Sequence, residues 1–222
     1  MKSKAVKQMF AGIIFILAFI LWTVFILTVD VQPVGVQGTD IGFATVNSWF
    51  HSLTGVNMLM YYATDWLGIV PVFVCMLFGI TGVLQLVKRR SLRKVDPDLI
   101  ISGIYYIIVI FCYLVFEIYP LNYRPVLING VMEASYPSST TLLVLCVMPT
   151  LVLLSSHRTS KSKIKMIIKV LTTLFSVFMV SGRLISGVHW LSDIVASALL
   201  SGGLYFLYTA AILLSYRTKQ RG

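Results

Sequence analysis

The chain has 222 residues, of which 58% are hydrophobic and only 12% are charged. It is too apolar for a soluble domain and too long for a single membrane anchor, so it is predicted to cross the membrane several times. The net charge of +10 does not indicate binding to nucleic acid, because the basic residues flank apolar segments and do not form a stripe on a polar surface.

The predicted spans follow from long apolar runs, since about 20 residues cross the hydrocarbon core of a bilayer. The first run comes after three lysines, as in a signal peptide, but "TVDVQPVGVQG" offers no small-residue cleavage site, so we predict a retained anchor. The second run is overlong and contains Asp65 and Pro71, which predicts a kink or first turns that lie above the lipid. The six predicted spans are about 10–29, 58–87, 99–116, 140–154, 164–180 and 191–214.

These spans predict an all-α fold, a polytopic membrane protein in which six transmembrane helices form one bundle and a single domain over residues 1–222. Between the first two spans, apolar residues recur at helical spacing over 40–54, which predicts an amphipathic helix on the membrane surface. The three cysteines fall in separate apolar runs and indicate neither a disulfide framework nor a metal site.

Lysine and arginine residues predict the orientation of the bundle. With the N-terminus in the cytoplasm, sixteen of the eighteen lie on the inner side, which is the positive-inside pattern, and six spans put both termini there. The other two, Arg124 and Arg183, fall on the outer side and so indicate a functional role. The alternative is structural pairing with Glu117, Glu133 or Asp193. The inner residues are 2, 4, 7, 88–90, 93, 94, 158, 161, 163, 165, 169, 217, 219 and 221.

The stretch "SGRLISGVHWLSD" carries an arginine, a histidine and an aspartate between two apolar segments. His189 and Asp193 are four residues apart and therefore share a helix face. A carboxylate there can accept from one ring nitrogen and raise the basicity of the other, as a nucleophilic histidine requires. Arg183 reaches the same side only if Ser186-Gly187 breaks the helix. A buried, purely structural His–Asp pair explains this motif about as well.

The stretch "NYRPVLINGVMEASYPSSTT" holds a second cluster, in which Arg124 is followed by hydroxyl residues that lead into the fourth span. Hydroxyls and free backbone N–H groups at a helix start form an anion site, although an ordinary helix cap explains them as well. Guanidinium groups bind phosphate oxygens bidentately, so Arg124 and Arg183 together favour a phosphate site. The hydroxyl residues are Ser138, Ser139 and Thr140.

These motifs resemble those of the type 2 phosphatidic acid phosphatase family, membrane phosphatases related to the vanadium haloperoxidases. The family carries Lys-x6-Arg-Pro, Pro-Ser-Gly-His and Ser-Arg-x5-His-x3-Asp. Here "EIYPLNYRP" matches the first motif at Arg124 and Pro125, and "PSST" matches the second at Pro137 and Ser138. "SGRLISGVHWLSD" matches the third at Arg183, His189 and Asp193 with the expected spacing. The resemblance covers the chain from about residue 58 onwards.

What the resemblance implies is a phosphohistidine mechanism that needs no metal and no cofactor. His189 would attack phosphorus while Asp193 orients the ring. Arg124 and Arg183 would stabilise the charge on the phosphoryl oxygens through the transition state. The remaining phosphate-binding residues would be Ser138, Ser139 and Thr140.

Four positions depart from the family pattern. Gly182 replaces a serine, Glu117 replaces the lysine, Ser139 replaces the glycine, and Thr140 replaces the histidine that protonates the leaving group. Threonine cannot act as an acid at neutral pH, and the loss of a general acid costs about 10²–10⁴-fold in rate. Either the substrate is a lipid diphosphate with a better leaving group, or Glu117, kept neutral by burial, donates the proton. The third explanation is a weakened pseudophosphatase that binds or transports lipid phosphates.

The predicted protein is therefore an integral membrane phosphatase acting on a lipid phosphate ester or diphosphate, of which a polyprenyl diphosphate is one candidate. Its active site would face outward from a bacterial plasma membrane, with both termini in the cytoplasm. Its partners would be this lipid substrate and the membrane lipids, without nucleic acid, and the sequence does not indicate an oligomeric state. A transporter or channel is the other class considered, but the middles of the spans lack proton-relay acids.

Overall fold

The computed structural model describes residues 2–219, with side chains described as far as Tyr216. The side chains of Arg217 and Lys219, and all of Arg221, which were predicted as inner cations, lie outside this part of the chain. Over residues 2–219 the chain forms eight α-helices and two short 3-10 turns, and it contains no β-strand. The helices are α1 Lys2–Thr28, α2 Ala44–Thr54, α3 Met58–Leu67, α4 Ile69–Arg89, α5 Pro97–Ile118, α6 Ser139–Arg158, α7 Ser162–Ile185 and α8 Leu191–Lys219.

Six helical segments of the described chain are long and apolar enough to cross a membrane, with α3 and α4 together counting as one. This confirms the predicted all-α, six-span fold, and the chain is an integral membrane protein. The predicted surface helix over 40–54 contains α2, and the overlong second span is interrupted at Gly68, between α3 and α4. Pro71 lies in the first turn of α4, where its missing N–H breaks no helical hydrogen bond.

The first and last helices pack against each other in opposite directions. Near one end Thr209 Oγ1 donates to Gln8 Oε1 at 3.1 Å, and near the other Trp22 Nε1 donates to the Ser192 carbonyl at 3.1 Å. A Cβ on Gly203 would lie 2.6 Å from the side chain of Ile16, so the two helices approach as closely as glycine permits. The start of α1 therefore lies beside the last turns of α8, at what we call the basic end of the bundle, and the opposite end we call the motif end.

Three irregular segments meet at the motif end. The segment between α5 and α6 folds back on itself through a two-residue Asn-Gly turn, in which Asn129 and Gly130 have φ of 51° and 79°. Between α7 and α8, Gly187 has φ of +66°, and a Cβ there would lie 1.8 Å from the carbonyl oxygen of Gly55. The amide of Asn57 donates to the Ser186 carbonyl at 2.9 Å, which ties this turn to the start of α3.

Candidate active site

His189 lies in the turn that precedes α8 and is only 3% exposed. Its Nδ1 lies 3.1 Å from the backbone carbonyl of Ser135. A carbonyl oxygen can only accept, so Nδ1 carries the proton in this hydrogen bond and Nε2 keeps its lone pair. Nε2 is buried and has no hydrogen-bond partner among the described residues. The ring is therefore held through Nδ1, and Nε2 makes no hydrogen bond within the described residues.

Asp193 holds the loop that orients the histidine. Its Oδ2 accepts from Ser135 Oγ at 2.7 Å and from the Trp190 amide at 3.0 Å. The distance from His189 Nδ1 to the same oxygen is 3.8 Å, which is longer than a hydrogen bond. Ser135 therefore stands between the two predicted partners: its carbonyl holds the ring, and its hydroxyl is held by the carboxylate.

Burial keeps the His189 ring neutral. Desolvation lowers its pKa well below the ordinary value of 6.5, and the positive charges of Arg124 and Arg183 lower it further. The hydrogen bond to the Ser135 carbonyl acts in the opposite direction. A neutral imidazole is the form that can attack an electrophile.

Arg183 lies in the last turn of α7, and its side chain is 1% exposed. Its Nη2 donates to Thr140 Oγ1 at 2.7 Å and to Asp65 Oδ1 at 3.2 Å. Its Nε and Nη1 are buried without a hydrogen-bond partner among the described residues. Unsatisfied buried N–H groups of a cation are costly, so this guanidinium has donors to offer an anion.

Arg124 lies in the folded-back segment and pairs with Glu133 across it, with 3.1 Å between Nη2 and Oε2. This is one of the pairings considered as a structural alternative, but it uses only part of the guanidinium. The Nε group donates to the Ala134 carbonyl at 3.4 Å, and Nη1 is buried without a partner among the described residues. Arg124 therefore resembles Arg183 in having an acidic partner on one nitrogen and an unused donor on another.

The ring of Tyr61 brings the two arginines together. The Cζ atoms of Arg183 and Arg124 lie 5.0 and 5.4 Å from its centroid, which is the range of a cation–π contact. Tyr61 belongs to α3 and is 6% exposed. Two like charges near one aromatic ring form a site of strong positive potential, which favours an anion between them.

The hydroxyl residues and Glu117 occupy different surroundings. Ser138 occupies the N-cap position of α6, but its Oγ donates to Thr141 Oγ1 at 3.0 Å and makes no capping hydrogen bond to the backbone. The first helical hydrogen bond of α6 is donated by the amide of Leu142, so the amides of Ser139 and Thr140 precede it and have no helical acceptor.

Glu117 is exposed near the end of α5, and it forms no ion pair within the described residues. The structure thus brings Thr140 to Arg183 but does not bring Glu117 to either arginine.

A groove of about 360 Å³ opens between α3, α4, α5 and α6, and two of its lining residues, Asp65 and Thr140, contact Arg183. Its walls are mainly apolar, and the lining residues that carry polar groups on their side chains are Asp65, Tyr113, Ser139 and Thr140. Such a groove can hold an apolar chain whose polar head lies near Arg183.

Sequence reasoning did not assign a role in the site to Tyr61, Asp65, Ser135 or Glu133. Asp65 was noted only as a polar residue in the overlong second run and Glu133 only as a possible structural partner of the arginines, and no motif marks Tyr61 or Ser135. The only available signal was that Asp65 is an acidic residue in an apolar run, which is costly without a function.

The family model of the PAP2 superfamily matches residues 99–217, which is more than half of the chain. The chain belongs to the PAP2 superfamily. This confirms the resemblance found in the motifs, and family membership supports a membrane lipid phosphatase. The matched residues contain all three motifs but exclude α1 to α4, so Tyr61 and Asp65 are contributed from outside them.

One solved structure with the same fold is a transmembrane PAP2-type phosphatidylglycerolphosphate phosphatase from Bacillus subtilis. It matches with a TM-score of 0.57 over 90% of this chain and 94% of that chain, at 18% sequence identity. At this identity the likeness shows the shared fold. No curated protein matches the chain.

Proposed function

We propose that this protein is a membrane phosphatase that removes phosphate from a lipid phosphate ester or diphosphate through a phosphohistidine intermediate. The observation that carries the proposal is a set of buried nitrogen atoms that lack partners within the described chain: His189 Nε2, Arg124 Nη1, and Nε and Nη1 of Arg183. A tetrahedral anion beside Tyr61 would satisfy the guanidinium donors while the imidazole faces its phosphorus.

The reaction follows from these roles. His189 Nε2 attacks phosphorus, the bond to the leaving oxygen breaks, and the proton on Nδ1 stays in its hydrogen bond to the Ser135 carbonyl. Arg124 and Arg183 neutralise the charge on the equatorial oxygens as the phosphoryl group passes to the ring. Water then attacks the phosphohistidine, releasing inorganic phosphate and the neutral imidazole. Ser138, Ser139 and Thr140 lie at the start of α6, whose free amides add donors on a third side.

The substrate is proposed to be a lipid because the groove beside Arg183 is apolar and opens between helices that cross the membrane. Prenyl and acyl chains both suit such walls. Thr140 has no acidic proton, so we propose that a diphosphate, such as a polyprenyl diphosphate, reacts faster than the monophosphate of the same lipid. Its leaving group is a phosphate monoester, which departs far more readily than an alkoxide.

The membrane orientation belongs to the same proposal. Lysines and arginines concentrate at the basic end, which by the positive-inside rule faces the cytoplasm of a bacterial cell. Both termini would then be cytoplasmic, and the site at the motif end would act on the outer leaflet.

The test is phosphate release from lipid phosphates by the protein purified in detergent. We expect His189→Ala to abolish release, and labelled substrate to leave an acid-labile phosphoenzyme in the wild type but not in this variant. His157→Ala is the matched control, because this histidine lies at the basic end, and it should keep near-normal activity. Wild-type protein that binds lipid phosphate but releases none would instead support the pseudophosphatase alternative.

A further inference from the structure

The helix α3, which precedes the matched family region, delivers a carboxylate to the phosphate site. One nitrogen of Arg183 contacts both Thr140 Oγ1, at 2.7 Å, and Asp65 Oδ1, at 3.2 Å. Position 140 is where the superfamily pattern has an acid for the leaving group, and threonine cannot supply the proton. A titratable carboxyl group therefore lies on the same guanidinium nitrogen as the residue that replaced the acid.

Two of the departures from the family pattern lie where α3 and its end approach the site. A Cβ on Gly182, which replaces a serine, would lie 2.6 Å from Thr64 Cγ2 on α3, so a side chain there would push the helix away. A Cβ on Gly68, at the end of α3, would lie 3.7 Å from Thr140 Cγ2. The small residue at 182 thus permits the close approach that brings Asp65 to Arg183.

The groove indicates which side of the phosphate this carboxylate faces. Asp65, Ser139 and Thr140 line the groove, while His189 is not among its lining residues. In an in-line displacement the leaving oxygen departs opposite the attacking Nε2, and it stays attached to the lipid chain. A chain held in the groove therefore carries its leaving oxygen toward the wall that contains Asp65.

Glu117, the proton donor considered from the sequence, has a different position. It lines a small pocket with Ser135 and Tyr136 that adjoins the groove at Ser139, and neither Arg183 nor Thr140 lines that pocket. Asp65 contacts Arg183 directly, and its side chain is 52% exposed, so it is not enclosed by the ion pair.

We propose that Asp65 is the proton donor to the leaving group, replacing the missing histidine; this rests on the proposed phosphatase function. As Nε2 forms its bond to phosphorus and the P–O bond breaks, the Asp65 proton passes to the leaving oxygen. In the second step the carboxylate accepts a proton from the attacking water, which restores the acid.

The experiment compares leaving groups in Asp65→Asn. A lipid monophosphate expels an alkoxide and needs the acid, whereas p-nitrophenyl phosphate expels a stabilised phenolate and does not. We expect kcat for the lipid monophosphate to fall about 10²–10³-fold, kcat for a prenyl diphosphate to fall less, and kcat for p-nitrophenyl phosphate to stay within about threefold. Retained hydrolysis of the aryl ester also shows that the variant is folded.

Two matched carboxylates serve as controls. Glu133→Gln removes the acidic partner of Arg124, so any loss it causes should be the same for all leaving groups. Glu117→Gln should show no dependence on the leaving group. The inference is overturned if Asp65→Asn lowers kcat equally for all substrates, which would make Asp65 a positioning residue for Arg183. It is also overturned if Asp65→Asn lowers kcat for no substrate, or if Glu117→Gln shows the loss that depends on the leaving group. A wild-type protein inert on every substrate would overturn the proposed function itself.

Discussion

Each end of the bundle contains an arginine paired with an aspartate. The two pairs differ in how many N–H groups of the guanidinium have hydrogen-bond acceptors. At the basic end, Arg158 holds Asp98 with both terminal nitrogens, at 3.0 and 3.2 Å, and donates to the Leu154 carbonyl at 3.0 Å. Tyr216 adds a hydroxyl donor to the same carboxylate at 3.3 Å. At the motif end, Arg183 contacts Asp65 with one nitrogen and keeps two others buried without partners among the described residues.

This difference separates a structural ion pair at the basic end from the proposed ligand site at the motif end. A buried ion pair is stable only when additional hydrogen bonds satisfy its remaining donors and acceptors, as Asp98 and Arg158 achieve by joining α5, α6 and α8. An arginine with unused buried donors lacks that compensation, which an anionic ligand can supply. The same residue types therefore have different roles at the two ends because of the geometry around them.

The largest expected effect comes from exchanging each arginine for lysine. Arg183→Lys should lower kcat/KM about 10²–10³-fold, because an ammonium group cannot replace the planar set of donors on the phosphoryl oxygens. Arg158→Lys should leave kcat/KM within about twofold. Phosphate release by the two purified variants measures both values, and equal losses would remove the distinction between the ends.

Replacement of each arginine by methionine should affect the free energy of unfolding in the opposite order, with the larger loss at Arg158. Arg158→Met leaves the Asp98 carboxylate buried without its cation, and should lower the free energy of unfolding by about 3 kcal/mol. Arg183→Met removes a cation with unpaired donors and should leave that free energy unchanged or higher. Denaturant unfolding in detergent tests this, and a clear destabilisation by Arg183→Met would argue for a structural pair at the motif end.

An aromatic ring lies beside the arginine at each end, Tyr61 at the motif end and Phe78 at the basic end, and replacing each ring tests the comparison further. Tyr61→Leu removes the ring shared by Arg124 and Arg183, and should weaken inhibition by orthovanadate about tenfold, since a desolvated cation–π contact contributes roughly 1–2 kcal/mol. Tyr61→Phe should bind orthovanadate normally. The matched control is Phe78→Leu, because Phe78 lies 5.7 Å from Arg158 at the basic end. A change in orthovanadate inhibition in Phe78→Leu would contradict this assignment.

The smallest expected effect is a shift in the titration of His189. Burial and the two arginines lower its pKa, so the ring should remain neutral at pH 6.5 and take up a proton only at lower pH. Nuclear magnetic resonance of histidine labelled in the ligand-free protein measures the midpoint. A midpoint at or above 6.5 would mean that the ring is not held in this buried, positively charged environment.

Much of the site could be predicted because its motif residues lie in short stretches. The spacing of Arg183, His189 and Asp193 within thirteen residues is visible in the sequence, and so is the opportunity for a break at Gly187. The role of Ser135 could not be predicted, because it acts through its carbonyl on a histidine 54 positions away. Backbone groups carry no motif, so only the folded chain reveals which carbonyl orients the ring.

The sequence by itself determined the membrane class, the six spans and the two exceptional arginines, because hydrophobic length and charge are local properties that act without knowledge of the neighbours. The tertiary structure alone decided that Tyr61 and Asp65 join the site, since Asp65 and Arg183 are 118 residues apart and meet only where α3 packs on Gly182. It also decided which ion pair is complete, because the satisfaction of a buried charge depends on every donor and acceptor around it.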